Sequence, residues 1–341
     1  MLRTVLLLFV LAFQPVFAGT PGEDWAEIVK LDAGPSAIPK NEAEAQDIAI
    51  RHNELQEKNL RAFIATHAKD ARIFEARLRL ARVLSIRARL AGDTEPAEVG
   101  RILEELDSIA AGPQRAELDF AKLSRQMRRF QGKRPTADQR TELLDAARAF
   151  QKSHPADHRV AAVLAEVATL FEHDPKTKAA IITDAEKLAV EPELKAQLAD
   201  DRKRLGLLDK PIGLRFTAID RTNFDIREHL GKVVVVLFFA TASEPAKAAF
   251  SDLGEIIAQY EGVKWAAISL DPQKAPLEAF LRQQKTRPQT GWDGKMWGGE
   301  LVQALGINTL PTVWIFDKQG VLRTLDGLEQ ADRQISRLLR E

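Results

Sequence analysis

Ser243 and Glu244 are the residues of this chain best placed for chemistry. They stand in the turn Ala240-Thr241-Ala242-Ser243-Glu244-Pro245-Ala246, which follows the apolar run Val233 to Phe239 and precedes a helical pattern at Phe250, Leu253, Ile256, Ile257 and Tyr260. An unbroken run of β-branched and aromatic residues reads as a strand buried on both faces. A strand, turn and helix of this kind put the turn at the carboxyl edge of a sheet, where open α/β folds place their sites. A serine nucleophile needs a base within hydrogen-bond reach. His229 is the only histidine after His173, it precedes the strand, and no Gly-x-Ser-x-Gly elbow surrounds Ser243. The expected role of Ser243 is therefore that of a helix cap, its hydroxyl taking a backbone N–H near Ala246. Catalytic, cofactor-binding and metal-binding residues are all read as none.

The chain contains no cysteine. Thiolate nucleophiles, disulfides and cysteine-ligated metals are thus unavailable to these 341 residues. His67 and His154 invite a metal reading, but as lone residues at equivalent helix ends they are expected to bond terminal carbonyls.

The elements that hold the turn alternate. After Asp209-Lys210-Pro211-Ile212-Gly213, a strand is predicted over 214–219, the buried strand over 233–239 and a helix over 243–260. A second buried strand follows over 263–270, then helices over 273–284 and 300–305, the latter ended by Gly306. Strands over 312–316 and 321–325 flank Asp317-Lys318-Gln319-Gly320, and a helix over 331–339 closes the chain. This order predicts a central sheet with helices on both faces.

At this point residues 209–341 resemble the TlpA-like branch of the thioredoxin superfamily, the exported thiol–disulfide oxidoreductases. The matching pieces run in order: Gly231 to Val235 before Phe238-Phe239-Ala240-Thr241, then Ile268-Ser269-Leu270-Asp271, then Arg287-Pro288-Gln289. Asp293-Gly294-Lys295-Met296-Trp297 follows, and then Gly306-Ile307-Asn308-Thr309-Leu310-Pro311-Thr312 before Ile315 to Gly320. The family's Trp-Cys-x-x-Cys motif falls on Ala242, Ser243, Glu244, Pro245 and Ala246, and of its features only Pro245 is kept. In the family, the first thiolate is activated at the helix N-terminus and the second cysteine resolves the mixed disulfide. A Ser243 hydroxyl does not ionise there, and Ala246 offers no resolving group. Leu237 stands where thioredoxins proper bury a proton-handling Asp. The resemblance also implies that Pro311 is the family's cis-proline, with Thr309, Leu310 and Pro311 forming a groove in which Leu310 would pair with an extended peptide. Trp292 and Trp297, set among Gly291, Gly294, Gly298 and Gly299, are either a mobile aromatic loop or a structural part of the family's Asp-Gly-x-x-Trp segment.

The preceding half is helical, rich in Ala, Leu, Arg and Glu, and it repeats itself. Arg61-Ala62-Phe63 aligns with Arg148-Ala149-Phe150, which pairs His67 with His154, Asp70 with Asp157 and Arg72 with Arg159. Two related units, about 44–131 and 136–206, are predicted with four helices each, and Asp70 and Asp157 are expected as helix caps. The pattern loosely resembles tetratricopeptide-like repeats, which implies a solenoid with a concave face. A partner groove and a mere platform both remain open. Residues 19–43, broken by Gly34-Pro35 and Ile38-Pro39, are read as an irregular lead-in. Residues 1–18 read as a signal peptide: Arg3, an apolar stretch from Val5 to Phe13, and Val16-Phe17-Ala18, with cleavage near Ala18-Gly19. No other apolar run approaches membrane-spanning length, so no membrane span is expected in the mature chain.

Lys plus Arg and Asp plus Glu both number 49. That balance argues against general nucleic-acid binding, and Arg128-Arg129 with Lys133-Arg134 is read as a solvated basic face. The expected architecture is two domains, an all-α helical-repeat domain (44–208) followed by an α/β thioredoxin-like domain (209–341). The expected role is an exported, redox-inactive adaptor or chaperone-like module with an unidentified protein or peptide partner and no cofactor. A residual oxidoreductase role and a purely architectural one are the alternatives.

Overall fold

The structure, a computed structural model, describes residues 19–130, 135–325, 327–328 and 330–341. The expected signal peptide, and Lys133-Arg134 of the basic stretch, lie outside the described residues. The chain divides into two compact units after residue 134. Among its described residues the first holds five helices: α1 (Pro21–Lys30), α2 (Glu42–Thr66), α3 (Ile73–Ala91), α4 (Ala97–Ile109) and α5 (Pro113–Arg128). The second opens with α6 (Ala137–Ser153), α7 (Arg159–Ala168), α8 (Pro175–Leu188) and α9 (Pro192–Leu207) before its strands begin. All eight helices predicted over 44–206 are present, with α7 ending in a 3₁₀ turn at Thr169–Phe171.

The lead-in is not irregular throughout. Helix α1 occupies Pro21–Lys30, capped by a reciprocal box in which the Thr20 hydroxyl takes the Glu23 N–H and the Glu23 carboxylate takes the Thr20 N–H. Its Pro and Gly content suggested a break, yet Pro21 sits in the first turn, where a missing N–H costs nothing. Ile28 of α1 is buried in the core of the first unit beside Phe63 and Leu80.

The two aligned joins share the same backbone and Asp–Arg bonds. The His67 N–H donates to the Phe63 carbonyl (2.8 Å), and the His154 N–H to the Phe150 carbonyl (2.8 Å). His67 leans on Phe63 with ring centres 5.0 Å apart, and His154 on Phe150 at 5.1 Å. Asp70 and Asp157 are not the caps themselves. Asp70 lies two residues before the cap Arg72, and Asp157 lies one before the cap His158; they accept the N–H of Arg72 and of Arg159 (2.9 Å in both) and take that arginine's guanidinium in a fork. The Arg159 fork holds the Asp157 carboxyl down to about 2. The His67 ring also differs from expectation: its Nε2 meets Asp24 Oδ2 of α1 at 2.7 Å, not a terminal carbonyl.

The sheet of the second unit has the order β5-β4-β3-β6-β7. Its strands are β3 (Val233–Phe239), β4 (Val263–Ser269), β5 (Gln289–Trp292), β6 (Thr312–Phe316) and β7 (Leu322–Thr324), while β1 (Arg215–Thr217) and β2 (Asn223–Asp225) form a separate hairpin. Strand β4 runs parallel to β3, and β6 runs antiparallel to it. The helices are α10 (Glu244–Ile257), α11 (Lys274–Gln283), α12 (Glu300–Leu305) and α13 (Ala331–Arg340). Alternate residues of β3 serve opposite faces, as the period of two requires. Val233, Val235, Leu237 and Phe239 join Phe250 and Leu253 of α10 and Ile335 of α13, while Val234, Val236 and Phe238 join Val302 and Leu305 of α12. Each such side chain contributes about 1.5–3 kcal/mol of burial free energy, which is why this run commands the sheet.

The join expected at 208–209 is a change from helix to strand but not of compact unit. Leu205, Leu207 and Leu208 pack against the α12-side core. Gly306, with φ of +67°, ends α12 so close to α9 that a Cβ there would lie 2.7 Å from the Asp200 carbonyl oxygen. Lys178, Asp201 and Arg204 are buried in this seam, and Asn308 reaches Asp201 at 3.4 Å. Among the described residues, no helix is long and apolar enough to cross a membrane.

Candidate functional site

At the end of β3 the chain turns through Ala240 to Ser243 and enters α10. The Ser243 N–H donates to the Ala240 carbonyl (3.1 Å), closing the turn. The Ser243 hydroxyl accepts the Ala246 N–H at 3.3 Å and so caps the helix. Pro245 lies in the first turn of α10, and Ala246 is fully buried. Glu244 points outward and pairs with Lys247 at 2.5 Å. Ala242 is exposed. His229 lies in a 3₁₀ turn before β3, its ring 5.0 Å from that of Phe224, about 20 Å of strand away from Ser243. Among the described residues no histidine or carboxylate hydrogen-bonds the hydroxyl, and one of its lone pairs takes the Ala246 N–H.

The turn rests on Asp271, a residue the sequence reading quoted only as part of a matching piece. Asp271 is 3% exposed, just past the end of β4. Its carboxylate accepts the Thr241 N–H (2.9 Å), the Thr241 hydroxyl (2.7 Å) and the Ser269 hydroxyl (2.7 Å). Its carbonyl accepts the Trp292 indole N–H at 2.7 Å. One residue thus ties the strand ends together beneath the site, its carboxylate joining β3 to β4 and its backbone carbonyl holding β5. The available signal was an acidic residue directly after a buried strand, but its partners are 30 and 21 residues away.

The antiparallel pairing of β6 with β3 sets Thr312 opposite Phe238. The residues just before Thr312 therefore lie at the same sheet edge as the capped turn. Thr309 is exposed, Leu310 and Pro311 are half-buried, and the Leu310–Pro311 peptide bond is cis. The Thr312 hydroxyl donates to the Thr309 carbonyl at 2.7 Å. No hydrogen bond joins the Leu310 backbone to another group among the described residues.

Beside this loop is a cleft of about 500 Å³ lined by Asp200 and Lys203 of α9 and by Trp297, Gln303, Ile307 and Asn308. The Lys203 ammonium donates to the Gln303 carbonyl at 2.7 Å, closing one wall. Trp292 and Trp297 divide the two readings between them. Trp292 is tied into the sheet edge through Asp271, whereas Trp297 is 44% exposed in the cleft. Among the described residues no three His, Cys, Asp or Glu side chains converge on a common point that could hold a metal.

A five-stranded sheet with β6 antiparallel to its centre, a helix capped at the end of β3 and a Thr-Leu-Pro loop facing that cap together define a thioredoxin-like domain. Residues 213–325 match the AhpC/TSA family, so the C-terminal region carries a domain of that kind behind the helical region. Two similar proteins are the thiol-disulfide oxidoreductases ResA of Bacillus thuringiensis and Bacillus cereus. Each is 25% identical over 128 residues, 37% of this chain and 72% of the relative. Among solved structures, a thiol:disulfide interchange protein of the thioredoxin family from Chlorobium tepidum is 19% identical. The match covers 39% of this chain and 96% of that one, with a TM-score of 0.33.

Proposed function

We propose that this is an exported, redox-inactive member of the thioredoxin-like class that binds a protein or peptide partner without catalysing thiol exchange. The observation that carries the reading is the capped turn. The positions that would hold two thiols hold Ser243, whose oxygen is spent as a cap, and Ala246, which has no side-chain functional group. Thiol exchange requires a sulfur nucleophile and a sulfur resolving group, and an alcohol supplies neither. The opposite wall remains suited to recognition, because no described residue hydrogen-bonds the Leu310 backbone, which leaves it to pair with an extended segment. Export, with cleavage near Ala18-Gly19, belongs to the same reading.

The test is affinity capture from the native cell envelope, run with the full chain and with Leu310→Asp. A specific partner is expected, and its capture should fall at least about fivefold with the charged loop, roughly 1 kcal/mol. In parallel, insulin reduction should show no turnover above background. Reproducible turnover would return the protein to the oxidoreductases that ResA is named for. Failure to capture any partner would leave an architectural part.

A further inference from the structure

The first unit carries a basic face that the capped site does not use. Arg82 and Arg89 of α3 are two helical turns apart with Ser85 between them, so all three share one side of the helix. Arg125, Arg128 and Arg129 follow i, i+3, i+4 spacing at the end of α5 and form a second row. Helices α3 and α5 pack together. Glu95 joins the rows: its carboxylate takes the Ser85 hydroxyl at 2.6 Å and Arg125 Nε at 2.7 Å. With those two bonds made, Glu95 is committed. Among the described residues, no carboxylate lies in ion-pair range of Arg82, Arg128 or Arg129. Arg128 is half-buried. Its burial, and then the charges of Arg82, Arg89 and Arg125, push its guanidinium below the usual arginine range against the pull of Glu95.

We propose that this α3–α5 face is the docking site for an acidic segment of a partner protein, held by Arg82, Arg128 and Arg129. The assignment rests on the protein-binding reading above and names the partner's chemistry. Three points select that occupant. The residues are arginines throughout, and the guanidinium fork meets a carboxylate with two parallel bonds. Arg82 on α3 and Arg128 and Arg129 on α5 stand on two helices that pack together, so a run of carboxylates, not a single one, is needed to engage them all. A membrane-binding face would set apolar side chains beside its cations. The exposed large apolar residues of this unit, Val29, Ile38, Leu55 and Ile109, lie outside α3 and α5.

The experiment is fluorescence anisotropy of a labelled hexaglutamate peptide titrated with the full chain at low and at physiological salt. Saturable binding is expected, weaker at the higher salt, with none for hexaglutamine. Arg82→Gln/Arg128→Gln/Arg129→Gln should lower affinity at least about tenfold. The charge-matched control Arg51→Gln/Arg77→Gln/Arg101→Gln should stay within about twofold. Thermal unfolding of both triple variants confirms that each is folded. Absence of saturable binding, or equal loss in both variants, overturns the site. So does binding to phosphatidylglycerol vesicles through these arginines without binding to hexaglutamate, which would make the face a membrane contact. If envelope capture returns the same partner with the site variant, this assignment falls and the protein-binding reading stands. If hexaglutamate binds through these arginines while capture fails, the site stands and the wider reading falls.

Discussion

The molecule holds two clusters of charge, and they are opposites. In the second unit, Lys178, Asp201 and Arg204 are each 3% exposed or less, with Glu172 at their margin. Lys178 bonds Glu172, lies 3.3 Å from Asp201, and Arg204 bonds Asp201. Two cations face two anions, and Asn308 adds an amide from the loop before Leu310. In the first unit, arginines crowd a half-exposed face around Glu95, which is already bonded twice. Charge can be buried where it is balanced and hydrogen-bonded; charge left unbalanced stays near water and is available to a ligand. The balanced cluster builds the seam between α9 and α12, while in the unbalanced one Glu95 ties α3 to α5 through Ser85 and Arg125 only.

The comparison breaks most sharply at Lys178. Replacing it with Met leaves Arg204 alone against the two carboxylates Asp201 and Glu172 and should cost about 3–5 kcal/mol, the penalty of one uncompensated buried charge. Urea unfolding measures it. A loss below about 1 kcal/mol would mean that the cluster is hydrated and not a structural core.

Asp271 is the intermediate case, a buried carboxylate satisfied by neutral donors. Asp271→Ala leaves the Thr241 N–H, the Thr241 hydroxyl and the Ser269 hydroxyl without their acceptor, and should cost about 2–3 kcal/mol. The Trp292 indole bond goes to the backbone carbonyl and should survive, so tryptophan fluorescence at low denaturant should remain native. Early exposure of the tryptophans would show that the carboxylate organises more of the edge than its own bonds.

What could be read from the chain was what neighbouring residues decide. The β3 run, the glycine stops at 306 and 320 and the Ser243 cap are local patterns, and the helix boundaries over 44–206 fell within a few residues. Strands β2 and β5 were missed because pairing creates them: Phe216 stacks on Phe224 at 4.8 Å and fits over Gly291, where a Cβ would clash at 2.6 Å. Helix α1 was missed although Thr20 and Glu23 announced it, because composition outweighed the cap in the reading. The candidate site was legible in the local pattern, at the Ser243 cap and Ala246. It was silent where partners are remote: Asp271 with Thr241, Asp24 with His67 across 43 residues, Asn308 with Asp201 across 107.

The smallest expected effect separates the two clusters most cleanly. Arg128 has no ion-pair partner among the described residues and is repelled by Arg82, Arg89 and Arg125. Removing its charge while keeping polarity, as in Arg128→Gln, takes away that repulsion at the loss of little packing. Stability should therefore stay level or rise by up to about 0.5 kcal/mol at low salt, the usual scale of surface charge effects. The gain should fade as salt screens the neighbouring guanidiniums. The same neutralisation at Lys178 should cost several kcal/mol with little salt dependence, because a buried pair is screened far less. Urea titrations of both variants at two salt concentrations give the comparison directly. A large, salt-insensitive loss at Arg128 would mean that its guanidinium is built into the fold, and would move that arginine from the docking face to the core.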